Sequence, residues 1–195
     1  HGCNVFCVPV AAGRHTYNVS APTWIEPNRF DFGEIEERVG LSLQANPEGW
    51  IMLRVSLCLP PFWFTDHSDQ QACIRADGKD IRWFEQGYQH AASLASETWR
   101  RDQESALRRL LRWCRQQPWA NRLCGVWLAC ATTEEWFHWA CNDQLYADYS
   151  RPARQAFRAW AAGHSLPDTR IPEPRERACK ALALYPDDTK GQMAA

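Results

Sequence analysis

The chain has 195 residues and a formal net charge of −1, a length that suits one domain with a substantial core better than two full-sized domains. A nearly balanced charge gives no field that would attract nucleic acid or an anionic membrane surface, so we expect neither as a partner. The longest apolar runs reach about ten residues, against the ~20 that a transmembrane helix requires.

The cysteines and tryptophans narrow the class of protein further. The nine cysteines are an odd number without the spacing of a disulfide framework, and several lie in apolar runs such as "CNVFCVPV" and "LCGVWLAC". A free thiol in such a run acts as a small hydrophobic group, so we expect a reducing, cytoplasmic location. Eleven tryptophans are present, and clustered tryptophan is common where a site stacks flat against a ligand.

The first part of the chain contains two predicted strands. Residues 3–10 form a short apolar run typical of a buried strand, and the nearly continuous apolar run at 50–60 predicts a strand covered on both sides. Between them lie a polar stretch at 11–29 and an amphipathic helix, whose apolar stripe consists of Ile35, Val39 and Leu43.

The second part begins with an irregular, aromatic stretch at 61–95, which we expect to be an ordered loop. A strongly amphipathic helix at 96–114 and another at 150–163 each begin with a serine that can cap the helix. Between these helices, the apolar run at 123–131 predicts a third strand. The segment 164–195 is rich in proline and charge, with only a weak helical pattern.

This alternation of strands and helices predicts an α/β fold with a parallel sheet, either doubly wound or part of a (β/α)8 barrel. In both folds, functional residues gather in the loops that follow the carboxyl ends of the strands. The loops at 11–29, 61–95 and 132–149 all follow predicted strands and are long and aromatic. We therefore expect the functional site among these three loops.

Several kinds of chemistry lack their motifs here. The sequence contains no GxGxxG, no GxxxxGK[ST] and no GxSxG, which argues against nucleotide binding and against a serine nucleophile. A metal site built from Cys130, His138 and Cys141 would lack the paired ligand spacing of zinc sites. We therefore expect neither a metal nor another cofactor.

The segment 131–139, "ATTEEWFHW", ends the third predicted strand with two glutamates followed by aromatics. A carboxylic acid beside apolar groups has a raised pKa and can protonate the leaving oxygen of a sugar, as glycoside hydrolysis requires. The alternative is structural, because paired glutamates can also cap a helix that follows a strand.

The order of several segments resembles the catalytic barrel of family 42-type β-galactosidases, which are (β/α)8 glycosidases. The segments are "GCNVF", "FDFGEIEERV", "LRVSLCLPPFWF" followed by a histidine, "ALRRLLRW" and "GVWLACATTEEW". The resemblance covers roughly residues 2–160, and its individual positions match loosely. It implies a partial (β/α)8 barrel that contains about strands 2 to 4 with their helices and long βα loops.

The resemblance also implies the acid/base residue, which in the family lies in an Asn-Glu-aromatic motif. The best match is Glu134-Glu135-Trp136, which makes Glu135 the general acid/base and Trp136 its aromatic neighbour. Glu134 then replaces the family's asparagine, which normally contacts the sugar. A shift by one residue would instead place Thr133 at the asparagine position and make Glu134 the acid.

Other substrate contacts are implied at three positions. Trp63 matches the tryptophan of a family "P-x-W" element and would form a wall of the sugar pocket. His67 lies near the family's "hPE" position, although Ser68 and Asp69 replace the proline and the glutamate. His15 lies in the first of the three loops and is a further candidate.

In this alignment the catalytic-domain portion spans residues 1–163, and 164–195 is a truncated continuation of the barrel. The chain starts at His1 without an initiator methionine, and the family's nucleophile, a second glutamate, would lie beyond Ala195. The expected activity is retaining hydrolysis of β-linked sugars in oligosaccharides or glycosides. We expect the isolated chain to be unstable or inactive and the full-length protein to be a possible homo-oligomer.

Two other functions fit the sequence. One is a non-catalytic, carbohydrate-binding relative, a reading supported by the replacement of the family's asparagine with Glu134. The other is an unrelated, doubly wound α/β protein that binds a small molecule. The order of the strands distinguishes this last possibility, because a doubly wound sheet reverses its strand order in the middle.

Overall fold

A computed structural model describes residues 4–13, 20–68, 74–79, 92–130, 147–174 and 176. The chain divides into two compact units, which are His1–Asp66 with Arg101–Trp136, and His67–Arg100 with Phe137–Ala195. The described helices and strands are, in chain order, β1 (Val5–Ala11), β2 (Trp24–Glu26), β3 (Arg29–Phe30), α1 (Gly33–Ala45), β4 (Trp50–Ser56), α2 (Pro61–Asp66), α3 (Glu97–Cys114), β5 (Leu123–Ala129) and α4 (Arg151–Gly163).

The first unit is built on a three-stranded parallel sheet in the order β1-β4-β5. These are the three strands that the apolar runs predict, so the mixed α/β class and the parallel sheet are confirmed. The strands follow one another across the sheet in chain order, as they do in a barrel. The reversal that a doubly wound sheet requires does not occur among the described strands.

One face of the sheet carries the hydrophobic core of the first unit. Ile51, Leu53 and Val55 of β4 alternate with residues of the opposite face and are almost fully buried. They belong to one cluster with side chains of β1, α1, α3 and the turn before β5, namely Val8, Val10, Ile35, Val39, Leu110, Cys114 and Trp119. Helices α1 and α3 thus cover this face.

The opposite face of the same sheet is much more open. Val5 and Trp50, which are register partners, are 47% and 44% exposed, and Trp127 of β5 is 52% exposed. Trp127 is the register partner of Arg54, which lies four residues after Trp50 on β4. Residues an even number of positions apart in a strand share a face, so Val5, Trp50 and Trp127 lie on the same face, which we call the open sheet face. Large apolar groups exposed together in this way mark a surface that is suited to being covered.

Two short elements lie in stretches predicted to be irregular. The β2-β3 hairpin lies in the loop at 11–29 except for its last residue, Phe30, and α2 begins the loop at 61–95. The strands of the hairpin have three and two residues, and α2 has six. Such lengths are too short for a hydrophobic period to be read from the sequence.

The second unit contains α4 and the segments that precede and follow it. The carboxylate of Asp148 accepts hydrogen bonds from the backbone N–H groups of Ile74 and Ser150, at 3.1 and 2.8 Å. Ser150 caps α4, since its hydroxyl accepts the N–H of Ala153 at 3.3 Å. The hydroxyl of Tyr149 donates to the carbonyl of Pro172 at 2.7 Å, which ties the start of α4 to the chain beyond it.

The serine caps predicted for α3 and α4 are both present. The hydroxyl of Ser96 accepts the N–H of Trp99 at 3.1 Å, just as Ser150 does for α4. In the part of the chain that the structure describes, no helix is long and apolar enough to cross a membrane.

Cys114 provides a test of the core. Burial raises the pKa of its thiol from 9.0 to about 11, which lowers the thiolate fraction at pH 8 by about a hundredfold. Cys7 and Cys124 carry exposed free thiols on the sheet. We therefore expect iodoacetamide at pH 8 to label Cys7 and Cys124 in the folded protein and to label Cys114 only after unfolding, as measured by peptide mass mapping.

The same pKa shift gives the stability a pH dependence. The folded state holds the Cys114 proton more tightly than the unfolded state does. The contribution of this proton to the free energy of unfolding is therefore complete below about pH 9 and is lost as the pH rises towards about 11.

Replacing Cys114 with serine removes the titrating thiol and serves as the control. Labelling of native Cys114 as fast as that of Cys124 would show that the core is not closed around it.

Candidate active site

The carboxyl ends of β1, β4 and β5 meet at one edge of the sheet. The N–H of Ala12 donates to the carbonyl of Ser56 at 3.2 Å, and the N–H of Leu57 donates to the carbonyl of Ala129 at 2.8 Å. We call residues 11–13, 56–59 and 129–130 the carboxyl edge. The three long loops leave the sheet from this edge, which is where α/β folds place their sites.

Gly13 lies where the chain after β1 closely approaches the backbone of the chain after β4. Its N–H donates to the Sγ of Cys58 at 3.3 Å. A Cβ at this position would lie 2.1 Å from the carbonyl carbon of Leu59 and 2.4 Å from the nitrogen of Pro60. Only glycine allows the chain after β1 to approach the chain after β4 this closely.

The β2-β3 hairpin is fixed to the same edge. The carbonyl of Ala11 accepts both the N–H and the hydroxyl of Thr23, each at 2.9 Å, and the N–H of Trp24 donates to the carbonyl of Ala12 at 2.8 Å. The ring of Trp24 stacks on Phe30 with 5.6 Å between the ring centroids and meets Phe62 edge-on at the same distance. The hairpin therefore adds aromatic side chains beside the carboxyl edge.

Trp63, the predicted wall of a sugar pocket, lies in α2 and is only 1% exposed. Its indole N–H donates to Oδ2 of Asp102 in α3 at 2.8 Å, and its ring meets Phe64 edge-on. The structure thus shows a tryptophan held in place by a carboxylate, and its contact with a sugar stays a prediction. Sequence reasoning missed Asp102, because nothing in the sequence pairs two residues 39 positions apart.

The loop after β4 is also attached to α3. The side-chain amide of Gln103 donates to the carbonyl of Cys58 at 3.3 Å. Gln103 is buried although it is polar, and it follows Asp102 in the same turn of the helix. Two neighbouring polar residues of α3 therefore hold α2 and the loop before it, which fixes one side of the carboxyl edge.

The remaining predicted site residues are distributed as follows. His67 is half-buried and belongs to the second unit. Outside the described residues lie His15, Thr133, Glu134, Glu135 and Trp136. Cys130, which is buried at the carboxyl edge, is the last described residue before the segment 131–139 that contains Glu134 and Glu135.

A small cavity of about 140 Å³ in the first unit is lined in part by Ser20, Asp31 and Glu34. Both carboxylates already have structural roles, since Asp31 accepts the N–H of Gly33 at 2.9 Å and Glu34 pairs with Arg38 at 2.6 Å. The cavity is also smaller than the ~300–1,000 Å³ of ordinary ligand sites. It supports the start of α1 and is not a candidate active site.

Within the described ranges, no group of three or more histidine, cysteine, aspartate or glutamate side chains is placed to hold a metal ion. Of the residues weighed for a zinc site, Cys130 is described and buried. His138 and Cys141 lie outside the described residues.

The fold is similar to part of two β-galactosidases of known structure. One is the polyextremophilic enzyme of the Antarctic haloarchaeon Halorubrum lacusprofundi, with a TM-score of 0.51 and 16% identity over 88% of this chain and 23% of that enzyme. The other comes from the psychrophilic Marinomonas ef1, with a TM-score of 0.51 and 16% identity over 94% of this chain and 24% of that enzyme.

This chain therefore spans about a quarter of the length of either β-galactosidase. No protein-family model matches the sequence, and no curated protein matches it either. The relation to the two enzymes is thus one of fold.

Proposed function

We propose that this chain is part of the (β/α)8 catalytic barrel of a retaining glycoside hydrolase of the β-galactosidase type, which acts on β-linked sugars. The observation that carries the proposal is the carboxyl edge, because β5 ends there and leads directly into Glu134 and Glu135. In a barrel, catalytic residues lie at this end of the strands.

The two faces of the sheet support a barrel. Helices cover the face that carries Ile51, Leu53 and Val55, whereas Trp50 and Trp127 are exposed on the other. A (β/α)8 barrel has this division, with helices outside and an interior filled by side chains from the whole ring of strands. The open sheet face has the apolar character of such an interior, and the fold similarity to the two β-galactosidases supports the same reading.

The proposed chemistry assigns Glu135 to the general acid/base. Its proton would go to the glycosidic oxygen as the bond to the sugar breaks, and its carboxylate would then deprotonate the water that releases the sugar. The aromatic residues after it would lower the local polarity and raise the pKa of the acid, so that it is protonated when the first step begins. The nucleophile would be a second carboxylate about 5–5.5 Å away, as retaining enzymes require.

Several residues would support substrate binding in this proposal. Trp136, Thr133 and His15 are proposed sugar contacts from the loops. Trp63 is proposed as a wall of the sugar pocket, where Asp102 would act on the substrate only through the orientation of Trp63. His67 is proposed separately as a substrate contact. No cofactor enters the proposed reaction, because two carboxylates and water are sufficient for it.

One specific feature favours a second candidate function. Glu134 stands where the family resemblance places an asparagine that contacts the sugar, and a carboxylate offers no N–H donor there. A protein with this change could bind glycans on its aromatic surface without hydrolysing them. A carbohydrate-binding role is therefore the alternative proposal.

An assay with the product of the complete gene tests both proposals. We expect hydrolysis of p-nitrophenyl β-D-galactopyranoside, with proton NMR showing that the β-anomer of the sugar is released first. Release of the α-anomer would contradict the retaining mechanism. Binding of galactosides in calorimetry without any hydrolysis would replace the catalytic proposal with the binding one, and the absence of both would contradict the two together.

The location and assembly of the protein are also proposals. Cys7, Cys114 and Cys124 carry free thiols, which supports the reducing, cytoplasmic location expected from the sequence. Homo-oligomerisation of the full-length protein stays a prediction from the sequence. Size-exclusion chromatography with light scattering tests the assembly directly.

A further inference from the structure

A cavity in the second unit carries an unusual set of cations. Its volume is about 290 Å³, and Arg154, Arg158 and Arg170 take part in its lining. The lining also includes one acid, Glu173, and the neutral residues Tyr149, Thr169 and Ile171. Because the carboxylates of Asp168 and Glu176 pair with Arg170, the cations that can favour an anionic occupant are Arg154 and Arg158.

Arg170 already has its partners. It pairs with Asp168 at 2.8 Å, and both of its terminal nitrogens donate to the carboxylate of Glu176 at 2.7 Å. The same carboxylate accepts the backbone N–H of Glu173 at 2.7 Å. Arg170 therefore shapes the wall of the cavity and has little capacity left for a ligand.

Arg154 and Arg158 differ from Arg170 in this respect. Within the described residues neither takes part in an ion pair, and both are exposed on α4. They are four residues apart, so they lie on the same side of the helix, where like charges repel each other. Two guanidinium groups that line the same cavity suit an oxyanion that bridges them, since each offers a planar pair of donors.

We propose that this cavity binds a phosphate group through Arg154 and Arg158. A phosphate accepts paired N–H donors from both side chains and cancels their mutual repulsion. The cavity also has about ten times the ~30 Å³ that one water molecule occupies in the liquid. It can therefore admit a phosphate ester as well as free phosphate, and the half-buried Thr169 offers a hydroxyl to either.

Isothermal titration calorimetry of the purified product of the complete gene at low ionic strength tests this site. The probes are inorganic phosphate and glucose 6-phosphate, each titrated into wild type and into Arg154→Gln/Arg158→Gln. We expect the double variant to lose at least tenfold in affinity for both probes. The matched control is Arg112→Gln/Arg115→Gln, which removes two exposed arginines elsewhere and should keep the affinity within twofold of wild type.

A second variant separates charge from geometry. Arg154→Lys/Arg158→Lys keeps both charges and loses the paired donors, so we expect an affinity between those of wild type and the glutamine variant. Circular dichroism confirms that the variants are folded, which surface substitutions on a helix should leave unaffected. Tighter binding of the ester would identify a phosphorylated small molecule as the ligand, and equal binding would identify the phosphate group alone.

Three results would overturn the proposal. They are the absence of binding by wild type at about 10 mM of either probe, an equal loss in the control variant, and displacement of phosphate by equimolar chloride. The site is independent of the proposed glycosidase chemistry, because its test measures binding and not hydrolysis. Either proposal can therefore fail while the other stands.

Discussion

Replacing Glu135 with glutamine in the product of the complete gene is expected to lower kcat on an unactivated β-galactoside by about 10²–10⁴-fold, the usual contribution of a general acid/base. Glutamine keeps the size of the side chain but has no proton to give to the leaving oxygen. Activity should survive better on a 2,4-dinitrophenyl glycoside, whose leaving group departs without protonation. That contrast between the two substrates is the signature of the acid.

The matched control is Glu134→Gln, which changes the adjacent residue in the same way. We expect a loss of less than about tenfold, because a residue that only contacts the sugar contributes less than the acid does. If the two effects are exchanged, the one-residue shift is correct, Glu134 is the acid and Thr133 occupies the asparagine position. If neither variant changes turnover by more than a few-fold, the acid/base assignment is wrong.

Replacing Gly13 with alanine is expected to lower the free energy of unfolding by about 3 kcal/mol or more, the upper range for an overpacked position. The new methyl group would lie 2.1 Å from the carbonyl carbon of Leu59 and 2.4 Å from its oxygen. These are backbone atoms, so no rotamer change can relieve the clash. The chain after β1 would have to move away from the chain after β4, which would also remove the hydrogen bond to Cys58.

Gly40 provides the control for this substitution. It lies inside α1, and a Cβ there would meet no heavy atom within 4 Å. Alanine at position 40 should stabilise the protein by about 0.5–1 kcal/mol through helix propensity. Urea titrations of the two variants should therefore shift the unfolding midpoint in opposite directions. A Gly13→Ala midpoint at or above that of wild type would contradict the close approach at the carboxyl edge.

The hydrophobic pattern was sufficient to predict the frame of the first unit. The apolar runs at 50–60 and 123–131 each contain a strand of the parallel sheet, and the run at 3–10 contains all but the last residue of β1. They could be predicted because a short, nearly continuous apolar run bounded by polar or turn residues is typical of a strand in a parallel sheet. The serines at 96 and 150 mark helix starts for a local reason, since each caps an N–H group three residues away.

The surroundings of the candidate site could not be predicted in the same way. The interaction between Trp63 and Asp102 joins residues 39 positions apart, and that between Gly13 and Cys58 joins residues 45 apart. Such pairs are decided by how the strands and helices pack, which a local pattern does not contain. The sequence alone does not decide between Glu134 and Glu135 for a related reason. The two glutamates are identical and adjacent, so the same local pattern fits both, and only the direction in which each side chain points would distinguish them.

Because of the open sheet face, the stability of the first unit depends on whether another segment covers that face. Val5, Trp50 and Trp127 leave apolar area exposed, and a segment that covers this area only when the sheet is folded stabilises it by RT ln(1 + [L]/Kd). A segment tethered in the same polypeptide acts at an effective concentration in the millimolar range, whereas a separate molecule must be supplied at that concentration. A segment that covers this face would therefore raise the melting temperature of the sheet beyond what its own residues give.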